Sequence, residues 1–307
     1  MQPVKVLYVL GRGRSGSTIF ANVLGECSGF FSAGEVRYLW DPILKDGGEC
    51  GSGEPLGICR VWSCVLKSLA GVDAQTAARL QRAVVREQNL PRLLARPPGE
   101  SRGWDDLARF AGVMSRVYAE LARVTGARVI VDSSKRPSYA AFLRHVPGVD
   151  LYLVHMVRDP RASAYSWKHR KHKSVQGGRE VTRRGAVDAT ARWVLLNWGA
   201  QRVMRRHGGS RSLTLRYEDF VARPRPCVKT VLSLVGEVPG HLPFAGDHTV
   251  RLSPNHTLSG NPSRYAAGTV HLRDNGEWKT AQSRLDAALA TAVAAPFLRR
   301  YGYGVRV

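Results

Sequence analysis

Residues 11–18, with the sequence GRGRSGST, are suited to binding a phosphate or sulfate group. They follow the apolar run 4–10, which predicts a strand, and lead into residues 17–24, whose apolar positions have helical spacing. A glycine loop between a strand and a helix lets backbone amides and the positive helix end converge on one anion. No lysine follows Gly16, so the loop departs from the GxxxxGKS/T motif of nucleoside triphosphatases. A purely structural turn is the alternative interpretation.

The composition predicts a folded protein with an anionic partner. The chain has 307 residues, of which 44% are hydrophobic, and a formal net charge of +22. This charge favours nucleic acid, an anionic membrane or a multiply charged nucleotide as the partner. The five cysteines are an odd number, and no leader-like segment or apolar run of membrane-spanning length is present. We therefore expect a cytoplasmic protein that has no disulfide framework and no membrane span.

Further strands and helices alternate along the sequence. Residues 128–132, 151–157 and 212–216 are predicted strands, and residues 72–94 and 186–207 are predicted covering helices. This alternation predicts an α/β protein with a parallel sheet, whose ligands bind at the carboxyl ends of the strands. We expect one domain over residues 1–307, with a helical insertion around 73–125.

Two of these segments carry more detailed predictions. In the helix at 186–207, one apolar stripe is expected, and its tryptophans are expected in the core. The members of the stripe are Val187, Ala191, Val194, Leu195, Trp198 and Val203. Residues 167–184 are basic and contain glycines, which favours a mobile basic loop beside the site or a solvated charged surface.

Taken together, the segments resemble sulfotransferases that use 3′-phosphoadenosine 5′-phosphosulfate (PAPS), in the bacterial carbohydrate- or tyrosylprotein-type branch. GRGRSGST resembles the 5′-phosphosulfate loop of that family, where a basic residue, here Arg14, precedes Ser-Gly-Ser-Thr. The resemblance implies the sulfotransferase fold, a P-loop-like central parallel sheet flanked by helices. It also implies PAPS as donor, adenosine 3′,5′-bisphosphate as product and no metal. The loop residues implied to bind the donor are Arg12, Gly13, Arg14, Ser15, Gly16, Ser17 and Thr18.

The segment VRDPRASAYS, residues 157–166, resembles the 3′-phosphate block of the same family. Arg158 ends a predicted strand, and Ser166 follows eight residues later on a helix that begins after Pro160. The resemblance implies that both side chains bind the 3′-phosphate, for which the planar guanidinium is well suited. A local ion pair between Arg158 and Asp159 is the alternative.

Two later segments complete the implied nucleotide site. LTLRYEDFVARP, residues 213–224, resembles a strand and helix of the family in which a tyrosine, here Tyr217, lies against the adenine. GNPSR, residues 260–264, is similar to a late loop that closes over the nucleotide, which makes Arg264 a second ligand of the 3′-phosphate. A surface turn with a solvated arginine is the alternative for Arg264.

The resemblance also implies a catalytic base. A glutamate follows a glycine about twenty residues after the phosphosulfate loop in relatives, and Glu35 has that place here. We expect Glu35 to accept the proton of the acceptor hydroxyl. An ion pair of Glu35 with Arg37 or Arg14 is the alternative. The acceptor pocket is expected to include residues 35–40, Tyr139 and the segment 167–184.

VDSSKRP, residues 131–137, ends a predicted strand where relatives carry residues close to the scissile bond. The resemblance implies that Lys135 stabilises the leaving phosphate, assisted by Ser133 or Ser134. Asp132 is either an alternative base or a residue that orients Lys135. The Lys-Thr-His-x-Pro motif of the cytosolic branch is missing.

The cysteines Cys50, Cys59 and Cys64 lie in a segment similar to a Cys-rich insertion of bacterial relatives. Their spacing is not the paired CxxC pattern of zinc sites, so packed thiols are expected and no metal site is predicted.

The predicted function is sulfonate transfer from PAPS to a hydroxyl of a small-molecule, glycolipid or carbohydrate acceptor, as in bacterial enzymes of specialised metabolism. A P-loop kinase of a small molecule is the alternative, and a nucleic-acid-binding protein is a weaker one. The kinase requires magnesium and the missing lysine. The nucleic-acid alternative lacks stacking or zinc signatures.

Overall fold

Strand β1 (Val4–Gly11) lies in the middle of the sheet and is buried on both faces. One face carries Val6, Tyr8 and Leu10, and the other carries Leu7 and Val9. A continuous apolar run of this kind is typical of a central parallel strand covered by helices on both sides. The sequence therefore fixes the place of β1 in the core.

A computed structural model describes residues 2–41, 48–169, 183–238, 240–274 and 276–305. The main sheet has five parallel strands in the order β2-β3-β1-β4-β5. The other strands of this sheet are β2 (Phe30–Gly34), β3 (Val129–Lys135), β4 (Val149–Val157) and β5 (Ser212–Arg216). Strands β6 (Thr249–Leu252) and β7 (Gly268–His271) form a separate antiparallel pair.

Helices cover both faces of the sheet, which confirms the predicted α/β class. They are α1 (Ser17–Gly25), α2 (Trp62–Ser68), α3 (Ala74–Val84), α4 (Leu90–Ala95), α5 (Asp105–Thr125), α6 (Pro137–Leu143), α7 (Pro160–Lys168), α8 (Ala186–His207), α9 (Tyr217–Ala222), α10 (Pro224–Leu234), α11 (Glu277–Ala281) and α12 (Arg284–Arg300). Within the described residues, no helix has the length and apolar character that crossing a membrane requires. The predicted basic loop falls largely on residues 170–182, which lie outside the described residues.

The order in which strands are added to the sheet reverses at β1, because β2 and β3 lie on one side of it and β4 and β5 on the other. Such a switch point opens a crevice beyond the carboxyl ends of the strands, where ligands of open α/β sheets bind. The glycine loop that follows β1 lies at this crevice.

The predicted helix over residues 72–94 is two helices, α3 and α4, rather than one. Asp73 caps α3 by accepting hydrogen bonds from the amides of Gln75 and Thr76. Pro91 lies in the first turn of α4, where its missing N–H costs nothing, whereas it would break the interior of a continuous helix.

The apolar stripe predicted for α8 is wrong. Val187, Leu195 and Trp198 are 47%, 64% and 44% exposed. The buried face carries Ala189, Trp193, Leu196 and Ala200 instead, and Val203 is the one member of the predicted stripe that is fully buried. This helix has apolar side chains on two faces, and only one of them packs on the core. Trp193 is the tryptophan of α8 that lies in the core.

Strand β2, which the sequence analysis did not predict, is held by the segment that precedes Gly260. The amide of Leu258 donates to the carbonyl of Ala33 at 2.9 Å. Gly34 has a φ of +77°, and a Cβ there would lie 2.8 Å from both the Leu258 nitrogen and the Ser259 oxygen. Only glycine fits this position without backbone displacement.

We expect Gly34→Ala to destabilise the protein more than Gly126→Ala, the matched control. Gly126 also has a left-handed φ, of +65°, but a Cβ there has no neighbour within 4 Å. The control therefore measures conformational strain alone, about 1 kcal/mol. The clash at Gly34 adds an overpacking cost of about 1–3 kcal/mol. Urea denaturation of both variants gives the comparison, and equal losses of unfolding free energy would contradict it.

Candidate active site

The loop from Gly11 to Thr18 runs from the end of β1 into the first turn of α1. Gly16, with a φ of +80°, precedes α1, and a Cβ there would lie 2.1 Å from the Tyr217 ring. The hydroxyls of Ser15 and Ser17 are buried, and among the described residues neither has a hydrogen-bond partner. Buried hydroxyls without partners are costly. A bound anion that accepts from them removes that cost.

Arg14 and Lys135 are the two non-glycine residues of the described chain that have positive φ, at +78° and +72°. A left-handed backbone at such residues costs about 1–3 kcal/mol and persists where the surrounding structure imposes it. Arg14 lies in the loop after β1, and Lys135 ends β3, the neighbouring strand. The strained backbone is therefore concentrated at the carboxyl edge of the sheet.

Glu35 and Lys135 form an ion pair at this edge. Glu35 directly follows β2, and Lys135 ends β3. These two strands are adjacent and parallel, with Gly34 of β2 in register with Asp132 of β3. The Lys135 Nζ donates to the Glu35 Oε1 at 2.6 Å and to the Ser133 carbonyl at 3.0 Å. The side chains of Lys135 and Glu35 are only 7% and 14% exposed. Glu35 is thus ion-paired with Lys135, whereas the alternative interpretation from the sequence named Arg37 or Arg14 as its partner.

A cavity of about 330 Å³ lies between the loop and this ion pair. Among the described residues, its charged lining groups are five basic side chains, Arg12, Arg14, Arg37, Lys135 and Arg136, and one carboxylate, Glu35. Burial, together with the charges of Arg184, Arg192 and Arg136, lowers the pKa of Arg12 to about 10. The crowding of positive charge that lowers this pKa also favours a bound anion. The electrostatics of the cavity are therefore suited to an anionic ligand.

Trp167 forms a wall of the same cavity. Its indole Nε1 donates to the Gly13 carbonyl at 3.2 Å, and the guanidinium of Arg12 lies 4.3 Å from the ring centroid. This stacking holds Arg12 beside the loop. Trp167 belongs to the predicted acceptor segment, whereas the basic residues 170–182 that follow it are not described.

Asp132 does not reach the cavity. It is fully buried, and its carboxylate accepts hydrogen bonds from the amide and hydroxyl of Ser134 and from the Tyr118 hydroxyl at 2.6 Å. The Ser134 hydroxyl oxygen accepts in turn from the Arg37 amide at 3.1 Å. Asp132 therefore orients the turn that carries Ser134 and Lys135. Its geometry does not support the alternative in which it is the base.

Arg158 contacts the loop after β1 but does not line the cavity. Its guanidinium stacks on the Tyr217 ring at 4.6 Å and donates weakly to the Arg14 carbonyl at 3.4 Å. It also pairs with Asp274 at 3.1 Å, and the Arg158 Nε is buried with no partner among the described residues. The alternative pairing with Asp159 is absent, because Asp159 binds Arg161 at 2.7 Å.

Ser166 and Arg264, the other two predicted ligands of the 3′-phosphate, differ in burial and in contacts. Ser166 lies half-buried on α7, the helix that begins two residues after Arg158. Arg264 is 3% exposed, and its guanidinium donates to the carbonyls of Glu49 and Leu258 and to the Tyr265 hydroxyl. Because these donors are committed to the chain, the structure does not support Arg264 as a phosphate ligand.

A second cavity, of about 470 Å³, adjoins the first and shares Arg12, Arg136, Trp167 and Leu196 with it. It is otherwise lined by Leu90, Leu195, Trp198, Gly199, Glu87, Arg184 and Arg192. The exposed apolar face of α8 is thus the wall of a cavity. Two expected acceptor contacts are absent, because Tyr139 is buried against Tyr8 and Trp40 is buried with its indole nitrogen on Met114.

Sequence reasoning missed several residues of this site. Arg136 directly follows Lys135 at the end of β3, a position that could have singled it out. Gly260 and Asn261 line the cavity, and the Asn261 amide donates to the Thr18 hydroxyl at 3.5 Å. Asp274 lies 116 residues from Arg158 in sequence, so no local pattern indicated their contact.

Residues 7–238 match the model of a family described as "Sulfotransferase family". The chain belongs to the sulfotransferase family. The fold is similar to that of the sulfotransferase domain of the Synechococcus PCC 7002 olefin synthase, with a TM-score of 0.54, 19% identity and coverage of 96% of this chain and 95% of that one. It is equally similar to the sulfotransferase domain of the curacin biosynthetic pathway, with a TM-score of 0.54, 17% identity and full coverage of both chains.

A comparison with curated protein sequences gives no match. The family and the fold predicted from the sequence are confirmed. The carbohydrate- or tyrosylprotein-type branch is not distinguished by these comparisons, and it stays a prediction. The same holds for the residues assigned to the donor and to catalysis.

We expect Asp132→Asn to change how stability depends on pH. Burial raises the pKa of Asp132 from 3.8 to about 6, so the folded protein binds this proton more tightly than the unfolded chain. The resulting stabilisation is present below about pH 4 and is lost as the pH rises to about 6. The unfolding free energy of the wild type should therefore fall by about 3 kcal/mol relative to the variant over this interval.

Urea denaturation of both proteins at pH 4, 5, 6 and 7 measures this difference. Other groups that titrate in the same interval, such as the buried His155, cancel because both proteins contain them. A difference between the two proteins that stays constant with pH would show that Asp132 is already ionised at pH 4.

Proposed function

We propose that the chain transfers the sulfonate group of PAPS to a hydroxyl of a small acceptor, with Glu35 as the base. The observation that carries this proposal is a single cavity between a phosphate-binding type of loop and the Glu35–Lys135 pair. A sulfonate held by the loop would lie opposite a carboxylate that can take a proton. Membership of the sulfotransferase family supports the reaction type.

The loop from Arg12 to Thr18 fits the phosphosulfate end of the donor. The buried hydroxyls of Ser15 and Ser17, which have no partner among the described residues, supply donors together with the loop amides. Arg12 and Arg14 add charge on the cavity side. Since a sulfonate in transfer carries less charge than a terminal phosphoryl group, fixed cations suffice where kinases use magnesium.

Arg158 and Ser166 are proposed to hold the 3′-phosphate, with Tyr217 beside the adenine. The stacking of Arg158 on Tyr217 and the unsatisfied Arg158 Nε support this placement. The Arg158 guanidinium is paired with the Asp274 carboxylate at 3.1 Å. The phosphate must therefore displace the Asp274 carboxylate, whose side chain is 23% exposed and can turn towards solvent.

Glu35 takes the proton of the acceptor hydroxyl as the oxygen forms its bond to sulfur and the bond from sulfur to the phosphate oxygen breaks. The Oε1 atom of Glu35 accepts a hydrogen bond from the Lys135 Nζ, so the Oε2 atom of Glu35 is available to take the hydroxyl proton. Arg14 and Lys135 stabilise the charge that grows on the leaving phosphate. The strained backbone of both residues fixes these cations in place before the substrates bind.

The second cavity suggests the class of acceptor. Its walls combine the apolar side chains of Leu90, Leu195 and Trp198 with Arg184 and Arg192 at their edge. We propose an acceptor that has an apolar body, an anionic group and a hydroxyl that reaches the first cavity. A plain carbohydrate would leave the leucines and Trp198 without apolar contact.

The kinase alternative is weaker, because the loop lacks the lysine after Gly16 that would bind the distal phosphates. No observation on the described residues favours a nucleic-acid groove over the cationic cavity between the loop and the Glu35–Lys135 pair.

Nucleotide binding tests the donor. Adenosine 3′,5′-bisphosphate should raise the melting temperature, whereas ADP, which lacks the 3′-phosphate, should raise it much less. Asp274→Asn should tighten binding of the bisphosphate by about tenfold, because it removes a competing carboxylate, and Arg158→Gln should weaken it by at least as much.

The matched control is Asp150→Asn. Asp150 lies near the start of β4, far from the carboxyl end of the strand, and the substitution breaks its pair with Arg211. It should leave the affinity unchanged. An Asp274→Asn variant that binds the bisphosphate no more tightly than the control would mean that Arg158 does not receive the phosphate.

Turnover tests the base. With labelled PAPS and a panel of hydroxylated medium-chain carboxylates, Glu35→Gln should lower kcat by roughly a hundredfold or more, with little change in the KM for PAPS. Glu120→Gln, on the surface of α5 and paired with Arg123, is the control and should keep full activity.

The same panel tests the acceptor class, because the neutral methyl esters should react more slowly than the free acids. Faster transfer to the esters would contradict an anionic acceptor. Transfer from labelled ATP but not from PAPS would overturn the proposed function.

A further inference from the structure

Four side chains with metal-binding atoms meet outside the cavity. They are Cys50, Glu54, Cys59 and His256, and their ligand atoms all lie within 4.8 Å of one another. The His256 Nδ1 lies 3.3 Å from the Cys59 Sγ, 3.6 Å from the Cys50 Sγ and 3.8 Å from the Glu54 Oε2. Both thiols are fully buried, and the His256 side chain is 11% exposed.

The backbone holds the two segments of this cluster together. The Gly51 amide donates to the Thr257 carbonyl at 2.9 Å, and the Trp62 indole donates to the His256 carbonyl at 2.6 Å. A Cβ at Gly51 would lie 2.0 Å from the Asn255 Oδ1, so this approach requires glycine. The meeting of the four groups is therefore part of the fold.

The distances match a tetrahedral zinc site. With Zn–S bonds of about 2.3 Å and Zn–N bonds of about 2.0–2.1 Å, a sulfur and a nitrogen ligand lie about 3.5 Å apart. The two observed sulfur–nitrogen distances, 3.3 and 3.6 Å, lie on either side of this value. We propose that Cys50, Cys59, His256 and Glu54 bind one Zn²⁺ ion, with Glu54 as the exposed fourth ligand.

Binding would change the hydrogen bonding of His256. Arg60 donates to the His256 Nε2 at 2.8 Å, so without metal the neutral ring carries its proton on Nδ1. A zinc ion on Nδ1 moves this proton to Nε2, and Arg60 must then turn away. The Arg60 side chain is exposed, so solvent can receive it. The Ser52 hydroxyl donates to the Glu54 Oε2 at 3.0 Å and lies 3.0 Å from the Cys50 Sγ, so it orients the fourth ligand of the site.

A zinc ion at this site would hold residues 256–261 against β2, the strand that directly precedes Glu35, the proposed base. His256 is followed by Leu258, whose amide binds Ala33 two residues before Glu35, and by Gly260 and Asn261 of the cavity wall. Zinc there has a structural role, because all four ligands come from the protein. The expectation of packed thiols without metal considered cysteine spacing alone, and His256 lies 197 residues from Cys59 in sequence.

Metal analysis of the purified full chain tests this proposal and does not depend on the proposed function. Elemental analysis should find about one zinc per chain. Cys59→Ser and His256→Gln should lose it and lower the melting temperature. Cys64→Ser, which removes a nearby thiol outside the cluster, should keep it.

Should the variants fail to fold, X-ray absorption on the wild type decides. It should show two sulfur ligands at about 2.3 Å and nitrogen or oxygen at about 2.0–2.2 Å. Two results would overturn the proposal. One is a zinc-free chain that takes up no zinc after reduction and incubation with Zn²⁺, and the other is an intact mass two hydrogens lighter, with Cys50 bonded to Cys59.

Discussion

Positive charge is concentrated at the carboxyl edge of the main sheet, where β1, β2 and β3 end around one cavity. Among the described residues, five basic side chains and one carboxylate line this cavity. Burial and the charges of neighbouring arginines lower the pKa of Arg12 to about 10, so the positive charge of Arg12 is disfavoured in the folded chain. Folding brings these cations together at a cost that an anionic ligand offsets. An anionic ligand is therefore favoured here, and a sulfonate donor, which membership of the sulfotransferase family implies, is such a ligand.

The sheet makes this arrangement possible because it is rigid at the carboxyl edge, where the charged side chains lie. Strand β1 is buried on both faces, so its end cannot shift without disturbing both halves of the core. The neighbouring strand β3 carries Asp132, whose carboxylate orients Ser134 at the turn that bears Lys135. The left-handed backbones of Arg14 and Lys135 are held against these supports. Preorganised cations need no rearrangement when charge moves, which is the main requirement for stabilising a transition state electrostatically.

The late part of the chain closes the site from the opposite side. The segment from Asn255 to Asn261 binds the end of β2, borders the cavity, and is tied to the cysteine-containing segment through His256 and Thr257. Arg264 is buried within the same layer and satisfies carbonyls on both segments. Its contacts explain why an arginine in a motif-like position is structural here: the loop that carries it supports the edge strand.

The fold class, the family and the loop after β1 could all be predicted from local patterns in the sequence. A buried parallel strand, a glycine loop and a helix start each have a signature within a few residues. Only the folded chain shows which face of α8 is buried, that Asp274 pairs with Arg158, and that Lys135 pairs with Glu35. It also brought His256 to Cys50 and Cys59. Each of these contacts joins segments far apart in sequence or depends on which surface a neighbour covers, and no local pattern encodes such proximity.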